Sequence, residues 1–186
     1  MRCVVILHAP IGGGKTTTAE VAAKRAKVDG LKVMGILSKR IFEGGKYPSY
    51  EIVELDTGEK VPLVKPAEME PGKGWESYGN PHYVFSKKGF YSANLALHRA
   101  AKELRDGVVV FVDEYGRLES QHKGIHPGAV LVANALKRGG VAIYLCREDK
   151  VHEVIDLVRG RAVRVFKLEA GDADALLRII RDCSKL

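Results

Sequence analysis

The run Ala9-Pro10-Ile11-Gly12-Gly13-Gly14-Lys15-Thr16-Thr17 carries the residue types needed to hold a polyphosphate. Gly12, Gly13 and Gly14 let backbone N–H groups close around phosphate oxygens without side-chain interference. Lys15 is spaced to reach the β- and γ-phosphates, and the Thr16 hydroxyl to ligate Mg²⁺. The whole segment from Ala9 to Thr17 is therefore read as nucleotide-binding. Ala9 stands where G-x-x-x-x-G-K-[ST] begins with glycine; if that position only closes a strand, a small residue of ordinary negative φ suffices. A Gly-rich turn that binds no phosphate is the bland alternative. The context argues against it, because the apolar strand Cys3-Val4-Val5-Ile6-Leu7 precedes the run and a helical segment from Thr16 to Lys27 follows. A helix starting there adds unpaired N–H donors and a positive dipole end.

Metal chemistry needs an acid on the other side of the triphosphate. The continuously apolar stretch Val108-Val109-Val110-Phe111-Val112 ends in Asp113-Glu114. Asp113 is read as the magnesium carboxylate and Glu114 as the group that orients and deprotonates water for attack on the γ-phosphate. The alternatives are an Asp that caps a turn and a solvated acidic neighbour. Arg147 follows the apolar strand Val141 to Cys146 and is the leading candidate to stabilise transition-state charge; a surface pair with Glu148 or Asp149 is its competitor. Arg117 and then Arg40 are weaker candidates for that role. No strand end carries the Asn-Lys-x-Asp that reads guanine. His122 and His126 have i, i+4 spacing without a third ligand nearby, so no metal site is assigned to them.

Strands and helices must bring these residues together. Leu31 to Lys39 reads as a second strand. Ser49 to Leu55 and Val61 to Val64 read as antiparallel strands, with turn signals at Glu43-Gly44-Gly45-Lys46 and Asp56-Thr57-Gly58-Glu59. Residues Pro66 to Pro81 read as a long surface loop, and His82 to Ser86 as a short strand. Helices are expected over Ser92–Arg105, Pro127–Arg138, Lys150–Val158 and Asp172–Cys183, with a further strand over Ala162–Phe166. This alternation predicts an α/β domain: a mainly parallel sheet, helices on both faces, and an antiparallel hairpin insertion over about residues 40–86. Ligands then sit where the loops after Leu7, Val112 and Cys146 converge.

The chain of 186 residues fits one domain, with 46% hydrophobic and 28% charged residues. No apolar run approaches the roughly 20 residues needed to span a bilayer, and the N-terminus enters a strand the loop needs rather than a removable signal. The net charge of +7 suits a polyphosphate ligand. Basic residues are scattered and no aromatic cluster accompanies them, which argues against nucleic acid. Cys3, Cys146 and Cys183 lack metal spacing and read as buried thiols of a cytoplasmic protein.

The pattern resembles the small P-loop nucleoside-triphosphatases first described from thermophiles, with their bacterial and archaeal relatives. The likeness rests on the loop Ala9 to Thr17, on Gly35-Ile36-Leu37-Ser38 running into Phe42-Glu43-Gly44-Gly45-Lys46, on Ile52 to Gly58, on Val112-Asp113-Glu114-Tyr115-Gly116-Arg117-Leu118-Glu119, and on Arg147-Glu148. The resemblance implies a RecA-like sheet with one strand between the loop strand and the Asp113 strand. It implies Mg²⁺-dependent hydrolysis of ATP, GTP and other triphosphates with loose base selectivity. It assigns Lys15, Thr16, Asp113 and Glu114 to the phosphate, magnesium and catalytic positions. A kinase for a nucleoside or other small molecule, or a nucleotide-binding adapter acting with a protein partner, would use the same loop.

Overall fold

A computed structural model describes residues 1–41, 46–69 and 72–184. In chain order the elements are β1 (Arg2–His8), α1 (Lys15–Val28), β2 (Lys32–Ile41), β3 (Ser49–Glu54), β4 (Lys60–Pro66), β5 (Trp75–Glu76), β6 (Tyr83–Ser86) and α2 (Lys87–Glu103). They continue with β7 (Val108–Tyr115), α3 (Arg117–Ser120), α4 (His126–Ala135), β8 (Gly140–Cys146), α5 (Val151–Val158), β9 (Arg164–Glu169) and α6 (Ala173–Ser184). Among the described residues the strands form one sheet in the order β5-β6-β4-β3-β2-β7-β8-β1-β9. β2, β7, β8, β1 and β9 are parallel, and β3, β4, β5 and β6 extend the sheet in antiparallel pairs. The anticipated insertion is thus a continuation of the main sheet beyond β2. The strand between β1 and β7 is β8, as the RecA-like arrangement requires.

Alternation explains the two cores. Val4 and Ile6 of β1 face one side, with Val110, Val112, Ala142 and Tyr144, under α2, α4 and α5. Cys3, Val5 and Leu7 face the other, with Val109, Phe111, Ile143 and Leu145, under α1 and α6. Strands covered on both faces are apolar at every position, which is why Val108 to Val112 reads as an unbroken run.

Several boundaries differ from the sequence reading. α2 begins at Lys87, ahead of the expected Ser92. The Ser86 hydroxyl caps its first turn by accepting from the Gly89 N–H at 2.9 Å. A helix that opens on Lys-Lys-Gly offers no apolar period in its first turn, so the start was hidden. The segment read as a loop over Pro66 to Pro81 contains a 3₁₀ turn at Ala67–Met69 and the edge strand β5. The strand expected at Ala162–Phe166 is displaced to Arg164–Glu169. The turn signal at 43–46 lies outside the described residues except for Lys46. A further correction concerns the cysteines: Cys3 and Cys183 are joined by a disulfide, and only Cys146 is a buried free thiol. Packing of α6 against α1 beneath β1 brings the two ends of the chain together, a contact between positions 180 residues apart.

Candidate active site

β1 delivers the chain to its C-terminal edge, and the loop that follows returns it as α1. Gly14 is the N-cap of that helix, with φ 78°, a left-handed conformation that favours glycine, and it offers no side-chain cap. The N–H groups of the first turn are therefore uncommitted to any capping side chain and available to an anion. Gly13 explains the departure at the head of the motif. A Cβ on Gly13 would stand 2.7 Å from the Ala9 Cβ and 3.0 Å from the Pro10 carbonyl oxygen. Ala9 is buried beneath the loop at 3% exposure, and its methyl fits because position 13 carries none. The Lys15 ammonium donates to the Ala9 and Pro10 carbonyls at 3.1 and 3.0 Å, holding it across the loop.

β7 brings the acids to the same place. The Thr16 hydroxyl donates to Asp113 Oδ2 at 2.8 Å, although 97 residues separate them. The Ser38 backbone N–H donates to the same oxygen at 2.9 Å, and the Glu114 N–H donates to Oδ1 at 2.8 Å. Burial pushes the Asp113 carboxyl above its ordinary range, and these three donors pull against it. Burial likewise raises Glu114 to about 7, helped by the negative charge of Asp113. Glu114 has φ 74°, rare for a residue with a side chain, and the β7–β8 register shifts between Val112 and Tyr115. A hydroxyl beside a carboxylate is a hard-oxygen pair of the kind that fits Mg²⁺. Among the described residues no group of three or more His, Cys, Asp or Glu could hold a metal ion.

These groups line one cleft of about 1060 Å³, together with Ile11, Gly12, Gly13, Gly14, Thr17 and Arg147. Ala9 and Pro10 lie outside that lining, Ala9 packed under the loop and Pro10 on its outer side. Arg147 reaches the rim, where it pairs with Asp149 at 2.9 Å. Arg117 also lines the cleft and donates to the Tyr78 carbonyl at 3.0 Å; Arg40 lies on the wall formed by β2. The far wall is aromatic: Tyr50, Tyr83, Phe85 and Phe90, from β3, β6 and α2. The sequence reading assigned these four no role, because their positions follow from antiparallel pairings of short strands. Glu119 was noted in the motif without a function. It is buried and accepts from the Gly116 and Ile125 N–H groups, both at 2.9 Å, fixing the segment that leaves β7. His122 and His126 stack with ring centroids 4.5 Å apart.

A family model described as NTPase matches residues 4–181. The chain belongs to this NTPase family. Within it, nucleoside-triphosphatase THEP1 of Pyrococcus abyssi is 33% identical over 108 residues, covering 58% of this chain and 55% of that protein. The THEP1 of Methanocaldococcus jannaschii is 32% identical over 110 residues, 58% of each chain. The chain thus spans somewhat over half the length of these two relatives. The THEP1 of Methanopyrus kandleri is 28% identical over 182 residues, 90% of this chain and 91% of its own. A human cancer-related nucleoside triphosphatase superposes with a TM-score of 0.68 at 25% identity, covering 98% of this chain and 97% of its own. THEP1 from the hyperthermophile Aquifex aeolicus shares the fold, with a TM-score of 0.65 at 19% identity over 97% and 96% of the two chains. Among the described residues no helix of this NTPase-family chain is long and apolar enough to cross a membrane.

Proposed function

We propose that the chain is a Mg²⁺-dependent nucleoside-triphosphatase that hydrolyses ATP, GTP and related triphosphates to the diphosphate and phosphate. The observation that carries this reading is the 2.8 Å contact between Thr16 and Asp113, with Glu114 next in the chain. That contact joins the glycine-rich loop to the acidic end of β7, which supports the roles given to Asp113 and Glu114. The THEP1 names of the relatives support the same activity.

In this reading the N–H groups of the loop and the Lys15 ammonium bind the β- and γ-phosphates. Thr16 and Asp113 would hold Mg²⁺, which when bound would neutralise phosphate charge. Glu114 accepts a proton from water as the water attacks the γ-phosphorus. Arg147, freed from Asp149, neutralises charge on the departing γ-phosphoryl group. Base selectivity is weak, since the recognisable contacts are to phosphate. The reading places the reaction in the cytoplasm; a Cys3–Cys183 disulfide suits that compartment where intracellular disulfides persist, as in hyperthermophiles. The partner it requires is the nucleotide; a protein partner that couples hydrolysis to work is compatible with this reading.

The test is phosphate release from the purified chain with each common triphosphate and Mg²⁺, with and without candidate acceptors. Phosphate without acceptor is expected, with ATP and GTP used within about tenfold, a gap of roughly 1.4 kcal/mol. Product that appears only with an acceptor would make the protein a kinase. Nucleotide held tightly without turnover would make it an adapter.

A further inference from the structure

Ser38 lies on β2 at the wall of the cleft, and its two ends behave differently. Its backbone N–H is committed to Asp113 at 2.9 Å. Its side chain is buried, with the residue 3% exposed, and its hydroxyl has no hydrogen-bond partner among the described residues. Burying an unpaired hydroxyl is costly, and folds rarely keep one without a use. Among the described residues two other buried side-chain polar atoms lack partners, on His126 and Ser184, and neither lines the cleft. Of the threonines beside the loop, Thr16 donates to Asp113 and Thr18 to the Gly14 carbonyl. Ser38 and Glu114 line the same cleft, and the carboxylate that the Ser38 N–H binds belongs to the residue just before Glu114.

We propose that the Ser38 hydroxyl, with Glu114, orients the water that attacks the γ-phosphate. The inference rests on the hydrolytic reading above. A water held by Glu114 alone can swing about one hydrogen bond; a second contact from the adjacent strand fixes the direction of its lone pair. In the step, the water oxygen bonds to the γ-phosphorus. The bond from phosphorus to the bridging oxygen breaks, and its electron pair leaves with the diphosphate. The water proton passes to Glu114, and Ser38 keeps its own proton.

The test compares Ser38→Ala, Ser38→Thr and Glu114→Gln in the full chain. In Ser38→Ala, kcat with saturating Mg²⁺–ATP should fall by about tenfold or more. KM, affinity for the non-hydrolysable imidotriphosphate and the Mg²⁺ half-saturation should stay within about twofold. Affinity for the Mg²⁺–ADP–aluminium fluoride complex, which mimics the in-line water, should fall with kcat. The threonine variant should keep kcat within about threefold. Melting temperature should hold or rise in the alanine variant, because it removes an unpaired buried group. Unchanged kcat in Ser38→Ala overturns the proposal. So does an equal loss of imidotriphosphate affinity, or a raised Mg²⁺ requirement, since the hydroxyl would then serve the ground state or the metal. Failure of Ser38→Ala to lose rate while Glu114→Gln does lose it would leave the hydrolytic reading standing without Ser38. Full activity in Glu114→Gln would instead remove the reading itself.

Discussion

Glu114 occupies a left-handed backbone conformation of a kind that costs about 1–3 kcal/mol for a residue with a Cβ. It sits beside a second buried acid, Asp113, whose charge raises its pKa further. A stable surface turn would need neither feature, and together they suit a base that must be aimed. Glu114→Gln is therefore expected to keep Mg²⁺–triphosphate affinity while hydrolysis falls about 10²–10⁴-fold, as measured by nucleotide binding and single-turnover phosphate release. Hydrolysis within a few-fold of wild type would move the base elsewhere. Arg147 is a harder case. Its pair with Asp149 is half-exposed and contributes little to stability, so the guanidinium exchanges partners at small cost. A phosphate offers it two oxygens at once. Arg147→Ala should lower kcat by about tenfold, roughly 1.4 kcal/mol of barrier, with diphosphate affinity nearly unchanged. Wild-type kcat in that variant would return Arg147 to the role of a rim ion pair and direct attention to Arg117 and Arg40, which line the same cleft.

At the scale of elements, the site depends on how closely the phosphate loop is wound between β1 and α1. A methyl at position 13 would meet Ala9 Cβ at 2.7 Å and the Pro10 carbonyl oxygen at 3.0 Å, so the loop would have to open. Gly13→Ala should raise the Kd for triphosphate by about tenfold or more while the melting temperature barely moves, since the loop itself is exposed. Adding Ala9→Gly should recover part of the affinity by removing the nearer contact. Equal affinity in Gly13→Ala, by calorimetry, would show that the loop has slack. The same elements explain what the sequence made legible. The loop, the parallel strands and the candidacy of Asp113 could be read because each rests on a local pattern: three glycines, an unbroken apolar run, an acid at a strand end. The aromatic wall could not. Tyr50, Tyr83, Phe85 and Phe90 meet only through the β3–β4–β6 registers and the start of α2, and short antiparallel strands with a bulge between Tyr50 and Glu51 leave no period to follow. A role for Ser38 is hidden for a related reason: a serine at the end of an apolar run is unremarkable until its N–H is seen to bind Asp113 on β7.

The whole molecule is held as a closed chain, with residue 3 tied to residue 183. A loop of that length constrains the unfolded ensemble by about 5 kcal/mol in the chain-entropy account. Cys183→Ser should lower the melting temperature by about 10 °C or more, with hydrolysis at moderate temperature unaffected because the bond lies at the N-terminal end of β1, away from the loop. An unchanged melting temperature would mean that the bond adds nothing to the folded state. The opposing contribution comes from the acids at the site. Glu114 rises from 4.5 to about 7 on folding, and Asp113 and Glu119 also rise through burial. Their raised values mean that the native state binds more protons than the unfolded chain, so their share of stability is fully present below the unfolded carboxylate pKa. It is lost as pH climbs toward the folded value. For Glu114 this window runs from about 4.5 to about 7, and the shift corresponds to roughly 3 kcal/mol. Glu20, paired with Lys39, acts in the opposite sense: its pKa is lowered, and its stabilisation is lost only as pH falls below its unfolded value. In metal-free buffer without nucleotide, the melting temperature should therefore be higher near pH 5.5 than near pH 8. Glu114→Gln should flatten that slope, because an amide binds no proton in either state. A wild-type melting temperature that rises across this interval, or a slope that survives Glu114→Gln undiminished, would show that the charge on Glu114 carries no folding penalty.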